Sequence, residues 1–303
     1  MLKTTEVARL VKISQTALLS SLIALGTIAT DSALAKKAAP KKTAGSDFET
    51  AKKVEGSDAY KAYHAVRDGS KALMFHMPQK AMADFNEALR IKPDYALAYA
   101  DRANAHMVMG DKKSALADCN KAISLDPKLA MAFVNRAWVY NSTRQFKKAL
   151  DDCNTAIGLE PTILLAYTNR AHAHNKLGNH KAALEDCNKV ISLNPRFAVA
   201  YINRSHTYIG MGEFKKAVED CNKALELNPK SSKAYLNRGH AHRELKEYED
   251  ALSDFNKALE LHKGLASAYY NRSRVYDQMA QADLEKAKKL GFVSATKADD
   301  EEE

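Results

Sequence analysis

The sequence is short of the residues from which most catalytic and metal centres are built. Its 303 residues include four cysteines and one tryptophan. There is no C-x-x-C pair and no C-x-x-C-H, so covalent haem has no support. There is also no glycine-rich phosphate loop, no H-E-x-x-H and no nucleophile in a recognised setting. The reading is therefore of a chain that is not an enzyme and takes no cofactor. Glycine is sparse, at 12, and the seven prolines are not scattered. Five of them, Pro93, Pro127, Pro161, Pro195 and Pro229, stand 34 residues apart. A fixed period of that length means a repeat array whose units share one continuous core.

Other rows keep the same spacing. Tyr99, Phe133, Tyr167, Tyr201, Tyr235 and Tyr269 form an aromatic row, and Arg102, Arg136, Arg170, Arg204, Arg238 and Arg272 follow three residues later. Ala115 to Ala251 form a small-residue row, and Asp84 to Asp254 an acidic one. Within one unit, 164–197, the first segment (Leu164–Leu177) lacks glycine and proline and carries apolar residues one helical turn apart. Gly178-Asn179 is a helix stop. The second segment places Ala183, Leu184, Cys187, Val190 and Ile191 at helical spacing. Asn194-Pro195 ends it, because proline disfavours α geometry in the residue before it. Each unit is thus predicted to be an antiparallel helical hairpin that covers its apolar faces only by stacking on its neighbours.

The pattern Y-x-N-R-[AGS], a glycine turn, A-[LV]-x-D-[CF]-N-K-[AV] and a closing N/D-P resembles the tetratricopeptide repeat, over about Ala62 to Phe292. The resemblance implies an all-α, right-handed solenoid of about seven helix–turn–helix units, starting near 62, 96, 130, 164, 198, 232 and 266. It also implies that the first helices line a concave groove that holds extended peptides or partner helices. The end units depart from the pattern. The first has Arg67-Asp68-Gly69 in place of the signature. In the last, Asp283-Leu284-Glu285-Lys286-Ala287 arrives about five residues early, which predicts a shortened turn.

Residues 1–35 read as a secretory signal. Lys3, Arg9 and Lys12 precede an apolar stretch, Ala17 to Ala29, and Ala33-Leu34-Ala35 supplies a small-x-small cleavage site. That stretch is shorter than the roughly 20 residues of a spanning helix. The expected product is exported, periplasmic or secreted, and cleaved after Ala35; the alternatives are an uncleaved anchor and a transit peptide, against which Glu6 and Asp31 count. Residues 36–61 read as a flexible linker and 293–303 as an acidic, disordered tail.

Cys119, Cys153, Cys187 and Cys221 occupy one place on the second helices, where the first and sixth units have Phe85 and Phe255. That makes the place a packing slot. Packed helices lie about 8–10 Å apart and a disulfide needs Cα atoms within about 7 Å, so no disulfides are expected. His106, His174 and His242 alternate with Tyr140, Tyr208 and Tyr276 and are expected to pack between the helices of a unit.

The candidate binding residues lie on the groove face. Asn135, Asn169, Asn203, Asn237 and Asn271 recur one per unit, headed by Asp101. An amide offers a donor and an acceptor together and can pair with the peptide group of an extended chain. The same row can instead bond a neighbouring helix. Trp138, His172, His206 and His240 form the next row, with Trp138 readable as a groove anchor or as core. Asn175 and Arg243 lie beyond, among Asn141, Lys176, Glu244, Arg274 and Asp277, and their mixed signs favour a polar peptide. The partner is expected to be a protein or peptide, with no nucleic acid. The formal charge of +9 supports a rival reading. Lys112-Lys113, Lys147-Lys148 and Lys215-Lys216 on the outer helices would dock on an anionic envelope component, whether lipid, cell-wall polymer or acidic protein.

Overall fold

The computed structural model describes residues 58–290, and every regular element among them is helical. The helices run in order as α1 (Asp58–Met74), α2 (Pro78–Ile91), α3 (Ala96–Val108), α4 (Lys112–Leu125), α5 (Ala130–Ser142), α6 (Phe146–Leu159) and α7 (Leu164–Lys176). They continue as α8 (His180–Leu193), α9 (Ala198–Gly210), α10 (Phe214–Leu227), α11 (Ser232–Glu244), α12 (Tyr248–Leu261) and α13 (Ala266–Lys289). The signal and tail readings, 1–35 and 293–303, lie outside the described residues, as does the linker as far as residue 57. Helix α1 already begins at Asp58, inside the stretch read as linker.

The sequence accounts for where the helices stop. Each hairpin turn needs one residue with positive φ. Glycine supplies it at Gly110, Gly178 and Gly212, and His76, Arg144 and Lys246 take the same conformation in the other three. The inter-unit turns close on Asx oxygens: Asp126 Oδ1 accepts from the Lys128 N–H at 2.9 Å, and Asn194 Oδ1 from Arg196 at 3.1 Å. The proline row fastens units together, since the hydroxyls of Tyr167 and Tyr201 donate to the carbonyls of Pro161 and Pro195 at 3.1 and 3.0 Å.

Consecutive helices pack against each other, and each first helix also touches the next first helix. The second helices have no comparable contact with one another. The array therefore curves toward α3, α5, α7, α9, α11 and α13, which line its concave side. Fully buried alanines, among them Ala103, Ala137, Ala171 and Ala217, let the helices approach closely.

The arginine row is the main polar fastener. Arg102, Arg136, Arg170, Arg204 and Arg238 each grip the aspartate sixteen residues on with two bonds of 2.7–2.9 Å. Each also donates to an asparagine on the preceding unit's second helix, as Arg170 does to Asn154 at 2.7 Å, and lies over the aromatic row, as over Tyr167 at 5.4 Å. One guanidinium thus ties three helices in the fixed fork geometry that suits it to carboxylates.

All four cysteines are buried free thiols. Burial pushes the Cys187 and Cys221 thiols up to about 12, so they are inert side chains of the core. The slot is coupled to a second row that sequence reading missed. Where the second helix carries Phe85 or Phe255, the first carries Gly69 or Gly239; where it carries cysteine, the first carries Ala103, Ala137, Ala171 or Ser205. A Cβ on Gly239 would stand 2.8 Å from the Phe255 ring, and one on Gly69 would stand 2.7 Å from Phe85. The paired substitutions conserve volume in a close-packed interior.

The last unit differs from expectation. The sequence predicts a hairpin with a short turn, but α13 is one unbroken helix of 24 residues. Nothing between Tyr276 and Lys289 stops a helix: the stretch has no glycine or proline and is rich in Ala, Gln and Lys. The described array is six hairpins followed by one long helix.

Candidate functional site

The asparagine row does not point its donors into the groove. The Asn135 amide, 3% exposed, donates to the Ala100 carbonyl at 2.9 Å, and Asn169 to Val134 at 3.2 Å. Asn237 donates to the Ile202 carbonyl at 3.1 Å and Asn271 to Ser267 in its own helix at 2.7 Å. Asn135, Asn169 and Asn237 thus sit at the seam between successive first helices, where the neighbouring helix captures the amide. The Asn203 side chain alone in this row makes no hydrogen bond among the described residues and is half-buried. Asp101, which heads the row, has no N–H to donate. It accepts from the Ser70 hydroxyl at 3.1 Å, its Oδ1 has no partner, and burial pushes its carboxyl up to about 7.

The neighbouring row is placed differently. Trp138 is half-buried on α5, and His172, on α7, packs by its ring against Phe146 at 6.4 Å between centroids. His206 and His240 follow on α9 and α11. With Lys176 and Lys233 they line the concave wall across three successive units, the lysines supplying its charge. Burial holds His172 at about 4, assisted by Lys176, His206 and Lys233. Burial does the same for His206, assisted by Lys176 and His240. His240 is lowered by burial and Arg243, against the opposing pull of Glu244. Neither Lys176, His206 nor Lys233 has a hydrogen bond or ion pair among the described residues. Lys233 is lowered by burial, whereas Lys216, Lys223 and Lys257, on the second helices, are raised by their glutamate partners.

Asn175 and Arg243 are engaged internally. Asn175 donates to the Thr207 hydroxyl at 2.9 Å and Arg243 to Asn271 Oδ1 at 2.8 Å, while Arg243 also pairs with Glu244. These two brace the groove wall rather than present free groups. Lys233 escaped sequence reading because its unit mates, Leu165 and Val199, are apolar; a row that turns from apolar to cationic toward the C-terminus was the available signal.

Among the described residues, His242, Glu247 and Asp250 have ligand atoms within 4.8 Å of one another. Glu247 is already bonded to His242 Nδ1, and both carboxylates sit at the N-terminus of α12, where negative charge balances the helix dipole. The concave wall is a different kind of place: its two lysines, Lys176 and Lys233, have no acidic partner among the described residues.

Four segments, 96–129, 165–197, 198–231 and 232–265, match the family model for the tetratricopeptide repeat. No curated protein matches the chain. Among solved structures, the Cut9–Hcn1 hetero-tetramer of the APC/C aligns with a TM-score of 0.67 at 14% identity, over 75% of this chain. This chain spans 45% of that protein's length. A tetratricopeptide repeat protein from Parabacteroides merdae aligns with a TM-score of 0.58 at 20% identity, over 76% of this chain and 90% of its own. PilW, a type IV pilus biogenesis factor, gives 0.60 at 16%, over 69% and 97%. At these identities the likeness is one of fold. With four matched units and the hairpin architecture in hand, the chain carries tetratricopeptide repeats.

Proposed function

We propose that the chain is a non-enzymatic scaffold that holds an extended, acidic or polar segment of a protein partner in its concave groove, and that it acts outside the cytoplasm. The observation that carries the binding reading is a pair of lysines on the concave wall, Lys176 and Lys233, that have no acidic partner among the described residues and stand beside the neutral His172, His206 and His240 row. Two lysines without partners on one concave wall attract a carboxylate, whose charge-assisted hydrogen bonds they can accommodate. Extracytoplasmic action rests on the sequence features of residues 1–35 alone. A second reading, docking on an anionic envelope component, draws on one feature. Lys112, Lys113, Lys147, Lys148, Lys181, Lys215 and Lys216 are exposed in the first turn of four successive second helices, where the helix dipole adds positive potential. Lys216 pairs with Glu213, which reduces that potential.

The groove reading is tested with labelled peptides of about nine residues, long enough to span three units at about 10 Å each. The peptides alternate serine with glutamate, glutamine or lysine. The glutamate peptide is expected to bind, more weakly as salt rises, and to lose binding to Lys176→Glu/Lys233→Glu but not to Lys147→Glu/Lys215→Glu. Equal binding of all three peptides, or loss with the outer pair of substitutions, would refute it.

A further inference from the structure

Helix α13 carries both halves of a hairpin on one face. In the sixth unit the first helix presents Tyr235, Arg238, Gly239 and His242. The second answers with Ala251, Asp254, Phe255 and Ala258. Arg238 grips Asp254 and Gly239 lies against Phe255. In α13 the first set recurs as Tyr269, Arg272, Ser273 and Tyr276. The answering set, Ala280, Asp283, Leu284 and Ala287, stands further along the same unbroken helix. Arg238 and Asp254 are sixteen residues apart with a turn between them. Arg272 and Asp283 are eleven apart with none, which is about three helical turns. Both sets therefore lie on one stripe, and a straight helix cannot close that stripe on itself.

Among the described residues nothing covers the stripe. Tyr269 is 49% and Tyr276 54% exposed, against 8% for Tyr167 and Tyr201. Arg272 keeps its asparagine, Asn256, at 2.7 Å, and its place over Tyr269 at 5.5 Å. Neither it nor Asp283 has an ion pair among the described residues. The other face of α13, through Ala268, Val275 and Met279, packs in the core formed with α12. Residues 280–289 are exposed except for Ala287, and a free helical segment of that length is marginal by itself.

We propose that α13 pairs antiparallel with α13 of a second copy of this chain, so that Arg272 of each copy grips Asp283 of the other. In an antiparallel helix pair the numbers of facing residues have a nearly constant sum. Setting Arg272 against Asp283 brings Tyr269 to Ala287, Ser273 to Leu284 and Tyr276 to Ala280. These are the row pairings of the hairpins, and both halves are satisfied at once by a two-fold axis. Each copy completes the other's unfinished seventh unit. The occupant follows from the complementary set being present in the chain itself, with a carboxylate where the uncovered arginine needs one.

Sedimentation velocity of the full chain, from low to high micromolar concentration, tests this. The expected result is a monomer–dimer equilibrium. Arg272→Asp and Asp283→Arg should each weaken it about tenfold or more, as for close interfacial charge pairs. The combined swap, Arg272→Asp/Asp283→Arg, should restore it. Circular dichroism should show equal helix content in all four proteins. A monomer at every concentration overturns the proposal, whether α13 stays straight, folds back within one chain or awaits a foreign helix. A dimer indifferent to the single reversals, or not restored by the swap, overturns it too.

Discussion

Replacing Arg170 by alanine is expected to destabilise the array by about 3–5 kcal/mol, the range seen when one partner of a buried ion pair is removed. Asp186 is 4% exposed and takes two bonds from that guanidinium, of 2.9 and 2.7 Å. Without it the carboxylate is left charged in the interior. The tie to Asn154 and the packing on Tyr167 go as well. Because each unit contacts only its neighbours, the loss in a central unit also weakens the coupling between the two halves. Urea unfolding should show a lower midpoint, and hydrogen exchange should rise first in α7 and α8. The double replacement Arg170→Leu/Asp186→Leu should be much milder, since an apolar pair removes the desolvation penalty together with the attraction. A single substitution as mild as the double one would show that the arginine row is not a fastener.

The Asp101→Asn substitution should act in the opposite direction, by an amount that grows as pH rises from about 4 to about 7. Burial raises the Asp101 carboxyl from its ordinary value to about 7, against a smaller lowering by the Ser70 hydroxyl. Between about pH 4 and pH 7 the folded chain therefore holds a proton that the unfolded chain has released. By linkage, the stability this group contributes is complete below the unfolded value and is lost as pH rises through the folded one. At pH 8 the wild-type chain carries a buried carboxylate with one oxygen unpartnered. Asparagine is neutral at every pH and occupies this row in the five following units. Its amide would face the Val66 carbonyl, as Asn135 faces Ala100. The variant should be more stable by a few kcal/mol at pH 8 and nearly equal at pH 4. The same gain at both pH values would show that Asp101 is not the titrating group.

How far the sequence led can be judged from particular rows. The 34-residue period told of the hairpins, the turns and the shared core, because proline, glycine and the alanine row act locally and recur in every unit. The cysteines read correctly as a packing slot because phenylalanine replaces them at both ends of the array. The compensating glycines, Gly69 and Gly239, were legible in the same way, but only when two rows are read together. The asparagine row was harder. Its position places the amide at the seam between the groove and the adjoining first helix, and the 2.9 Å bond from Asn135 to Ala100 depends on how closely those helices approach. Periodicity does not measure that approach. The same holds for Lys233, whose significance comes from its place beside the histidine row across the concave wall. At α13 the spacing was read as a shortened turn, but a stretch without glycine or proline leaves no place for one.

The groove is where a partner is expected to sit. The most direct measurement is site-specific photo-crosslinking in the full chain within its native cell, with p-benzoylphenylalanine at His206 on the concave wall or at Lys147 on the outer face. The expected result is one discrete adduct from position 206, lost when Lys176→Glu/Lys233→Glu is added, and no comparable adduct from position 147. Adducts from position 147 alone, or a position 206 adduct unaffected by reversing the groove cations, would contradict it.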